Sequence, residues 1–309
     1  MPIEKKEGCQ VVPRQHHDLS REKISPNALK VLYRLHHAGY DAFLVGGGVR
    51  DILLNVKTKD YDVVTNALPE EIDQLFRNSR IIGRRFRLVH IFYQGEVIEC
   101  STFRANISSD VDEAMDPALM PLQSDNIYGT IEEDAWRRDF TINSLYYNIK
   151  DFSIIDYTGG LSDLNQGILR ILGDPRQRFH EDPVRLLRAI RISAKLGLVM
   201  HSDTEEQVCE LVELLANVPS ARLFHEFMKL FFSGHAVVTY DQLLRYGYFQ
   251  VMFSGVVRAL NMRKQASDKK LFQLALKATD YRFNHGKTLN PGFLLSVFLW
   301  PCFQQQCEQ

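Results

Sequence analysis

The rhythm of apolar and polar positions changes near residue 165 of this 309-residue chain. Upstream, short apolar runs alternate with short helical patterns. Ser25-Pro26 reads as a helix start, with Ser as the cap and Pro in the first helical position. Leu29, Leu32 and Leu35 then fall on one face, and Gly39 closes the helix. Ala42 to Val45 is a buried strand, and Val49 to Leu54 opens a helix after Gly46-Gly47-Gly48. Tyr61 to Thr65 is a second strand, and Pro69 to Arg77 a further helix. Phe86 to Tyr93 and Glu96 to Phe103 are rich in β formers and flank Gln94-Gly95, a hairpin turn. Ile131 to Leu145 is predicted as a charged helix, with a hairpin following in Tyr146 to Ile149 and Ser153 to Asp156. Beyond 165 the strand signals stop, and helical spacing dominates at 182–196, 203–216, 219–233 and 239–246.

This order predicts an α/β head, a mixed sheet with helices, followed by an all-α region. The expected divisions are a polar mobile leader at 1–24, the head at 25–165, a helical neck at 166–235 and a partial helical body at 236–309. Residues 106–126 carry Asp110, Asp112, Glu113, Asp116 and Asp125 with no Lys or Arg, and are expected to be a mobile surface loop.

Charge adds little globally. Lys plus Arg is 37 and Asp plus Glu is 38, a net charge of −1, so any polyanion must be held by local clusters. Arg80, Arg84, Arg85 and Arg87 form one such cluster. Five cysteines without a C-x-x-C pair read as free thiols in a reducing cytoplasm. The amino-terminal stretch lacks an apolar core of the signal-peptide kind. The apolar run Phe293 to Trp300, cut by Pro301, is too short to span a bilayer. A cytoplasmic monomer with no membrane-spanning segment is expected.

The candidate chemistry begins where a strand ends in Gly46-Gly47-Gly48-Val49-Arg50-Asp51 and is followed by Asp60-Tyr61-Asp62. Glycines let a phosphate approach the backbone, and a helix start presents N–H groups to it. Residues i and i+2 of a strand share a face, so Asp60 and Asp62 are predicted to point the same way. Two close carboxylates repel, and hard divalent cations such as Mg²⁺ offset that repulsion while binding substrate phosphates. A glycine turn or an Asp-x-Asp pair alone is compatible with a plain turn or a solvated strand end. The ordered combination is more specific.

LVGGGVRD followed by KDYDVVT resembles the head of the class II nucleotidyltransferases, which comprise the tRNA CCA-adding enzymes and the bacterial poly(A) polymerases. The resemblance implies two catalytic metal ions held by Asp60 and Asp62, and a triphosphate and sugar seated by Gly46, Gly47, Arg50 and Asp51. Ile98-Glu99 with Thr102-Phe103-Arg104 matches a further block, making Glu99 a supporting acid and Arg104 a phosphate contact. Arg137-Arg138-Asp139-Phe140-Thr141-Ile142-Asn143 matches another, with Asp139 as third active-site acid and Arg138 and Asn143 as substrate contacts. In isolation that block reads as a solvated helix face. In Glu181-Asp182-Pro183-Val184-Arg185, Asp182 caps a helix on which Arg185, Arg188 and Arg191 form a basic stripe. By resemblance, Asp182 and Arg185 read the incoming base, and the stripe serves nucleotide binding. Arg222 and Glu226 are expected to form a structural i,i+4 pair.

Gly83-Arg84-Arg85-Phe86-Arg87-Leu88 resembles the element that marks the poly(A) branch, with Arg84, Arg85 and Arg87 toward RNA. The resemblance thus implies transfer of AMP from ATP to RNA 3′ ends with Mg²⁺. CCA addition to tRNA is the alternative within the family. Members of the poly(A) branch continue through further helical domains, whereas this chain stops at Gln309, so a truncated, inactive RNA-binding remnant is the third reading.

Overall fold

The computed structural model describes residues 4–6, 8–58, 60–83, 87–105, 127–263 and 265–307. They divide into two compact units, Met1–Gln166 and Gly167–Gln309.

The first unit is built on a sheet whose strands are β1 (Glu4–Lys6), β2 (Cys9–Val12), β3 (Ala42–Val45), β4 (Asp62–Thr65), β5 (Ser79–Ile82), β6 (Leu88–Tyr93), β7 (Glu96–Thr102), β8 (Leu145–Asn148) and β9 (Ile154–Asp156). Their spatial order is β1-β2-β9-β8-β3-β4-β7-β6-β5. The β4 and β7 strands run parallel, and the other neighbours pair antiparallel. The helices are α1 (Pro26–His37), α2 (Gly47–Leu53), α3 (Pro69–Leu75), α4 (Ile131–Trp136) and α5 (Gly160–Gln166).

Helix α1 starts where Ser25 Oγ accepts from Asn27 N at 3.2 Å, and it buries Ala28, Val31, Leu32 and Leu35. Strand β3 is buried on both faces, as its unbroken apolar run requires. One of those faces carries a core of Phe43, Val45, Val64, Phe103, Ala135 and Tyr146, with Ile131 packed against it. Helix α4 supplies Ala135 and Ile131, so it covers this face.

The second unit holds α6 (Pro175–Glu181), α7 (Val184–Leu196), α8 (Ser202–Glu210), α9 (Ser220–Phe231), α10 (Ala236–Arg245), α11 (Tyr248–Met252), α12 (Ser254–Arg263), α13 (Ala266–Asn284) and α14 (Pro291–Cys307). Its core is aromatic. Phe298 is fully buried, with its ring centroid between 5.0 Å (Phe272) and 6.4 Å (Phe227) from those of Phe227, Phe231, Tyr240, Phe249, Phe253 and Phe272. Among the described residues, no helix is long and apolar enough to cross a membrane.

An α/β head followed by helices is thus the observed architecture, with local departures from the sequence reading. The predicted helix from Ile131 to Leu145 ends at Trp136. Asp139 accepts from Phe140 N at 2.8 Å and from Asn143 Nδ2 at 3.0 Å, folding the chain into a turn and a short 3₁₀ segment instead. Part of the expected mobile leader is in the sheet, since Cys9–Val12 pairs with β9. Strand β5 occupies residues read only as a basic cluster. Two short strands, β10 (Ile168–Leu169) and β11 (Val199–Met200), pair in the helical unit, where no strand was expected. Helix α14 runs through Pro301 rather than stopping before it, with Leu294, Val297 and Phe298 buried in the preceding turns. The acidic segment 106–126 lies outside the described residues.

Candidate active site

The glycine turn and the aspartate strand meet at one rim of the head sheet. Antiparallel register sets Val45, the last residue of β3, opposite Asp62, the first residue of β4. Gly46 follows with φ 75° and ψ −142°, a conformation that an L side chain resists. A Cβ on Gly46 would lie 3.5 Å from Asp62 Oδ2 and 3.6 Å from Arg138 Nη1. Both charged groups therefore border the surface that the glycine leaves open. Gly48 is needed for a different reason. A Cβ there would come within 2.9 Å of the Asp60 carbonyl oxygen, so the backbone entering β4 passes against α2.

Sheet register extends the site sideways. Asp62 pairs with Glu99 across the parallel β4 and β7, and Glu99 pairs with His90 across β6 and β7. Tyr146 pairs with Val45 on the other side. Paired residues share a face, so Tyr146, Val45, Asp62, Glu99 and His90 form one row. The row is buried and apolar beneath α4 and becomes acidic at Asp62 and the exposed Glu99. His90 Nε2 lies 3.6 Å from Glu99 Oε1. Asp60 is exposed, just before the strand.

A buried polar network backs this rim. Arg50, in α2, donates from Nε to Asp51 Oδ1 at 2.8 Å and from Nη1 to Asn143 Oδ1. Asn143 in turn donates to Asp139. Arg50, Asp51 and Asn143 are all buried, so the pair is shielded from water and its geometry is directional. Asp139 is tied into this network, while Glu99 is the acid that register places beside Asp62.

Arg138 stands on a second network. Its Nε and Nη2 donate to Asp134 Oδ2 at 3.2 and 2.9 Å, and its Nε also lies 3.0 Å from the Tyr146 hydroxyl. Desolvation opposes the charge of Arg138, but Tyr146 and Asp134 more than offset it, and its pKa stays above the ordinary value. The sequence reading missed both Asp134 and Tyr146. Only the i,i+4 spacing of Asp134 and Arg138 was available as a signal.

The remaining candidates fall elsewhere in the head or in the helical unit. Arg104 bridges to Tyr128, and its Nη2 donates to the Arg87 carbonyl at 3.4 Å. Arg87 pairs with Glu70 at 2.5 Å and holds that carboxyl below its usual range. Arg84 and Arg85 lie outside the described residues. Within the helical unit, Asp182 Oδ1 accepts from Val184 N at 3.1 Å in the turn from α6 into α7, but Pro183 rather than the aspartate holds the cap position of α7. Arg185 donates to Glu181 at 2.9 Å, and Arg188 and Arg191 are half-buried on the same helix. Arg222 does not pair with Glu226 as expected. It reaches Asp182 Oδ2 at 2.8 Å, while the buried Glu226 takes Lys229 at 3.2 Å. Tertiary packing of α9 beside α7 overrides the local i,i+4 spacing.

The acids at the rim offer oxygen donors only, which suits a hard cation such as Mg²⁺. The opening over Gly46 leaves space beside Asp62 that a side chain would fill. Among the described residues, no group of three or more His, Cys, Asp or Glu side chains gathers as a ready metal cage.

Comparison with known proteins places these features. Residues 42–170 match the poly A polymerase head domain, and residues 197–260 match the probable RNA and SrmB-binding site of polymerase A. Poly(A) polymerase I of Escherichia coli O157:H7 is 47% identical over 293 residues, covering 94% of this chain and 63% of the relative. Poly(A) polymerase I of Haemophilus influenzae is 43% identical over 301 residues, covering 96% of this chain and 67% of the relative. The crystal structure of the Bacillus stearothermophilus CCA-adding enzyme in complex with CTP aligns with a TM-score of 0.64 at 29% identity, covering 82% of this chain and 58% of that one. The chain thus spans less than two thirds of the length of the E. coli relative. On these matches, and on a head whose glycine turn, aspartate strand and arginine network converge at one rim, the chain belongs to the bacterial poly(A) polymerase I family of nucleotidyltransferases.

Proposed function

We propose that this protein transfers AMP from ATP to RNA 3′ ends without a template. The observation that carries the reading is the convergence of Asp62 Oδ2 and Arg138 Nη1 on the open face of Gly46. An anionic substrate needs a cation-binding acid on one side and a fixed guanidinium on the other, and this rim supplies both.

Asp60 and Asp62 would hold the divalent cations, with Glu99 supporting and Asp139 as third acid. Bound there, the ions supply activation of the RNA 3′-hydroxyl and neutralise charge on the departing pyrophosphate. The protein's own part is positioning. Gly46 and Gly47 let the triphosphate approach the backbone. Arg50, locked by Asp51 and Asn143, keeps the start of α2 in place, while Arg104 and Arg138 contribute positive charge. Asp182 and Arg185 select the base, since a wrong base leaves their polar groups unmatched, and Arg188 and Arg191 extend that nucleotide-binding face. In this reading residues 166–235 serve as the neck and 236–309 as part of the body. Arg84, Arg85 and Arg87 contact RNA. The protein acts as a monomer in the cytoplasm.

The likeness to a CCA-adding enzyme bound to CTP supports a second reading, addition of C before A on tRNA. Purified protein with Mg²⁺, a labelled RNA primer and either ATP or CTP separates the two. Repeated addition of A alone, abolished in an Asp60→Ala/Asp62→Ala variant, is the expected result. Incorporation of C on tRNA followed by one A moves the chain to the second reading. Folded protein that extends nothing overturns both and leaves the RNA-binding remnant.

A further inference from the structure

Asp134 lies outside every residue so far given a role in the reaction, yet it is buried to 5% exposure and heavily engaged. Its Oδ2 accepts from Arg138 Nε at 3.2 Å, from Arg138 Nη2 at 2.9 Å and from the Tyr146 hydroxyl at 2.7 Å. Its Oδ1 accepts from Arg104 N at 3.3 Å. One carboxylate therefore ties together α4, the turn after it, strand β8 and the second residue beyond β7.

The consequence falls on Arg138. A guanidinium is planar, so fixing Nε and Nη2 fixes where Nη1 points. In this structure Nη1 is the atom beside Gly46, across from Asp62 Oδ2. Tyr146 reinforces the same orientation from β8, where strand register sets it opposite Val45, the residue before Gly46. We propose that Asp134, assisted by Tyr146, is a positioning residue for nucleotide transfer. It aims the Nη1 edge of Arg138 at the phosphates of the incoming nucleotide. The inference rests on the reading of this rim as the nucleotide site.

A double-mutant cycle tests it. ATP KM and kcat for RNA extension are measured for wild type, Asp134→Asn, Arg138→Gln and the double variant. Inhibition by inorganic tripolyphosphate, which offers phosphates without a base, is measured alongside. Asp134→Asn is expected to raise the ATP KM and weaken tripolyphosphate inhibition roughly tenfold, with a smaller change in kcat, as for coupled side chains in one ion pair. In the Arg138→Gln background the same substitution should add nothing. Should Asp134→Asn fail to fold, Tyr146→Phe removes the hydroxyl's two hydrogen bonds, to Asp134 and from Arg138, and keeps the ring. It should weaken tripolyphosphate inhibition less, and again only when Arg138 is present. Effects that multiply in the double variant would overturn the positioning role while leaving the nucleotide site standing. A folded wild type that neither binds tripolyphosphate nor uses ATP or CTP would overturn the role and the site together.

Discussion

The two units hold their candidate residues by different means. In the head, charged side chains are structural members. Asp156 accepts from the backbone of Thr158, Gly160 and Leu161 at 3.0, 3.1 and 2.8 Å, and Asp163 accepts from Thr141 Oγ1 at 2.7 Å. Arg50 joins Asp51 to Asn143, and Asp134 joins Arg138 to Tyr146. In the helical unit, a cluster of aromatic rings around Phe298 does most of the holding, with Glu226 and Asp268 the buried acids among the described residues, and other charges pair nearer the surface, such as Arg222 with the partly exposed Asp182. Hydrogen-bonded charge fixes direction, whereas apolar packing fixes position and leaves rim charges to solvent. The proposed transfer of a nucleotidyl group would need direction, and hydrogen-bonded charge in the head is the means to supply it.

That contrast is open to attack by substitution, because each unit carries one of the two tryptophans, Trp136 in the head and Trp300 in the helical unit. Single-tryptophan variants then report each unit separately by fluorescence. The largest expected loss comes from Phe298→Ala. Removing a fully buried ring at the centre of the aromatic cluster should cost about 4 kcal/mol in the Trp300 transition. The Trp136 transition should move much less. Equal shifts at both probes would show that the units do not hold themselves independently.

Asp51→Asn attacks the other kind of architecture. The side chains of Arg50 and Asp51 are only 7% and 4% exposed, so removing the carboxylate charge leaves a buried guanidinium poorly compensated. A loss of about 3 kcal/mol is expected in the Trp136 transition, with Trp300 little changed. An unchanged Trp136 midpoint would mean that the network orients groups without supporting the fold.

How far this division could be read from the sequence depended on contact range. The glycine turn and Asp60-Tyr61-Asp62 were legible because strand, turn and helix signals sit within one short stretch. The start of α7 just after Asp182 was legible for the same reason, although Pro183 holds the cap position. The place of Glu99 beside Asp62 was not fixed by any local pattern, since it arises from the parallel pairing of β4 with β7. Asp134 and Tyr146 were missed because their contact requires α4 to stop at Trp136, and the charge pattern suggested a continuous helix. Arg222 was misassigned because spacing along one helix says nothing about a carboxylate 40 residues away. Local rules found the glycine turn and the aspartate pair, resemblance supplied most of the other candidates, and long-range pairing decided which acid or base each one faces.

The smallest expected effect concerns the segment before α1, and it sharpens the contrast through pH. His17 sits between two backbone groups: Nε2 donates to the Phe152 carbonyl at 2.9 Å, and Nδ1 accepts from Leu19 N at 3.2 Å. That arrangement requires the neutral ring, and a proton on Nδ1 would displace Leu19 N. Desolvation lowers the His17 pKa, with Arg14 adding to it, against opposing contributions from Phe152 and Asp18. The folded value lies below the ordinary 6.5, so below pH 6.5 the unfolded chain takes up a proton that the folded chain resists. The stability tied to His17 is fully present above pH 6.5 and declines as pH falls from there through the lowered folded value. The Trp136 midpoint should fall in that window, and His17→Gln, which keeps a neutral donor and acceptor, should flatten the decline. The Trp300 midpoint should not respond to the substitution, because the aromatic core contains no comparable group. An identical pH slope in wild type and His17→Gln would remove His17 from the account and leave the directional character of the head to its buried carboxylates alone.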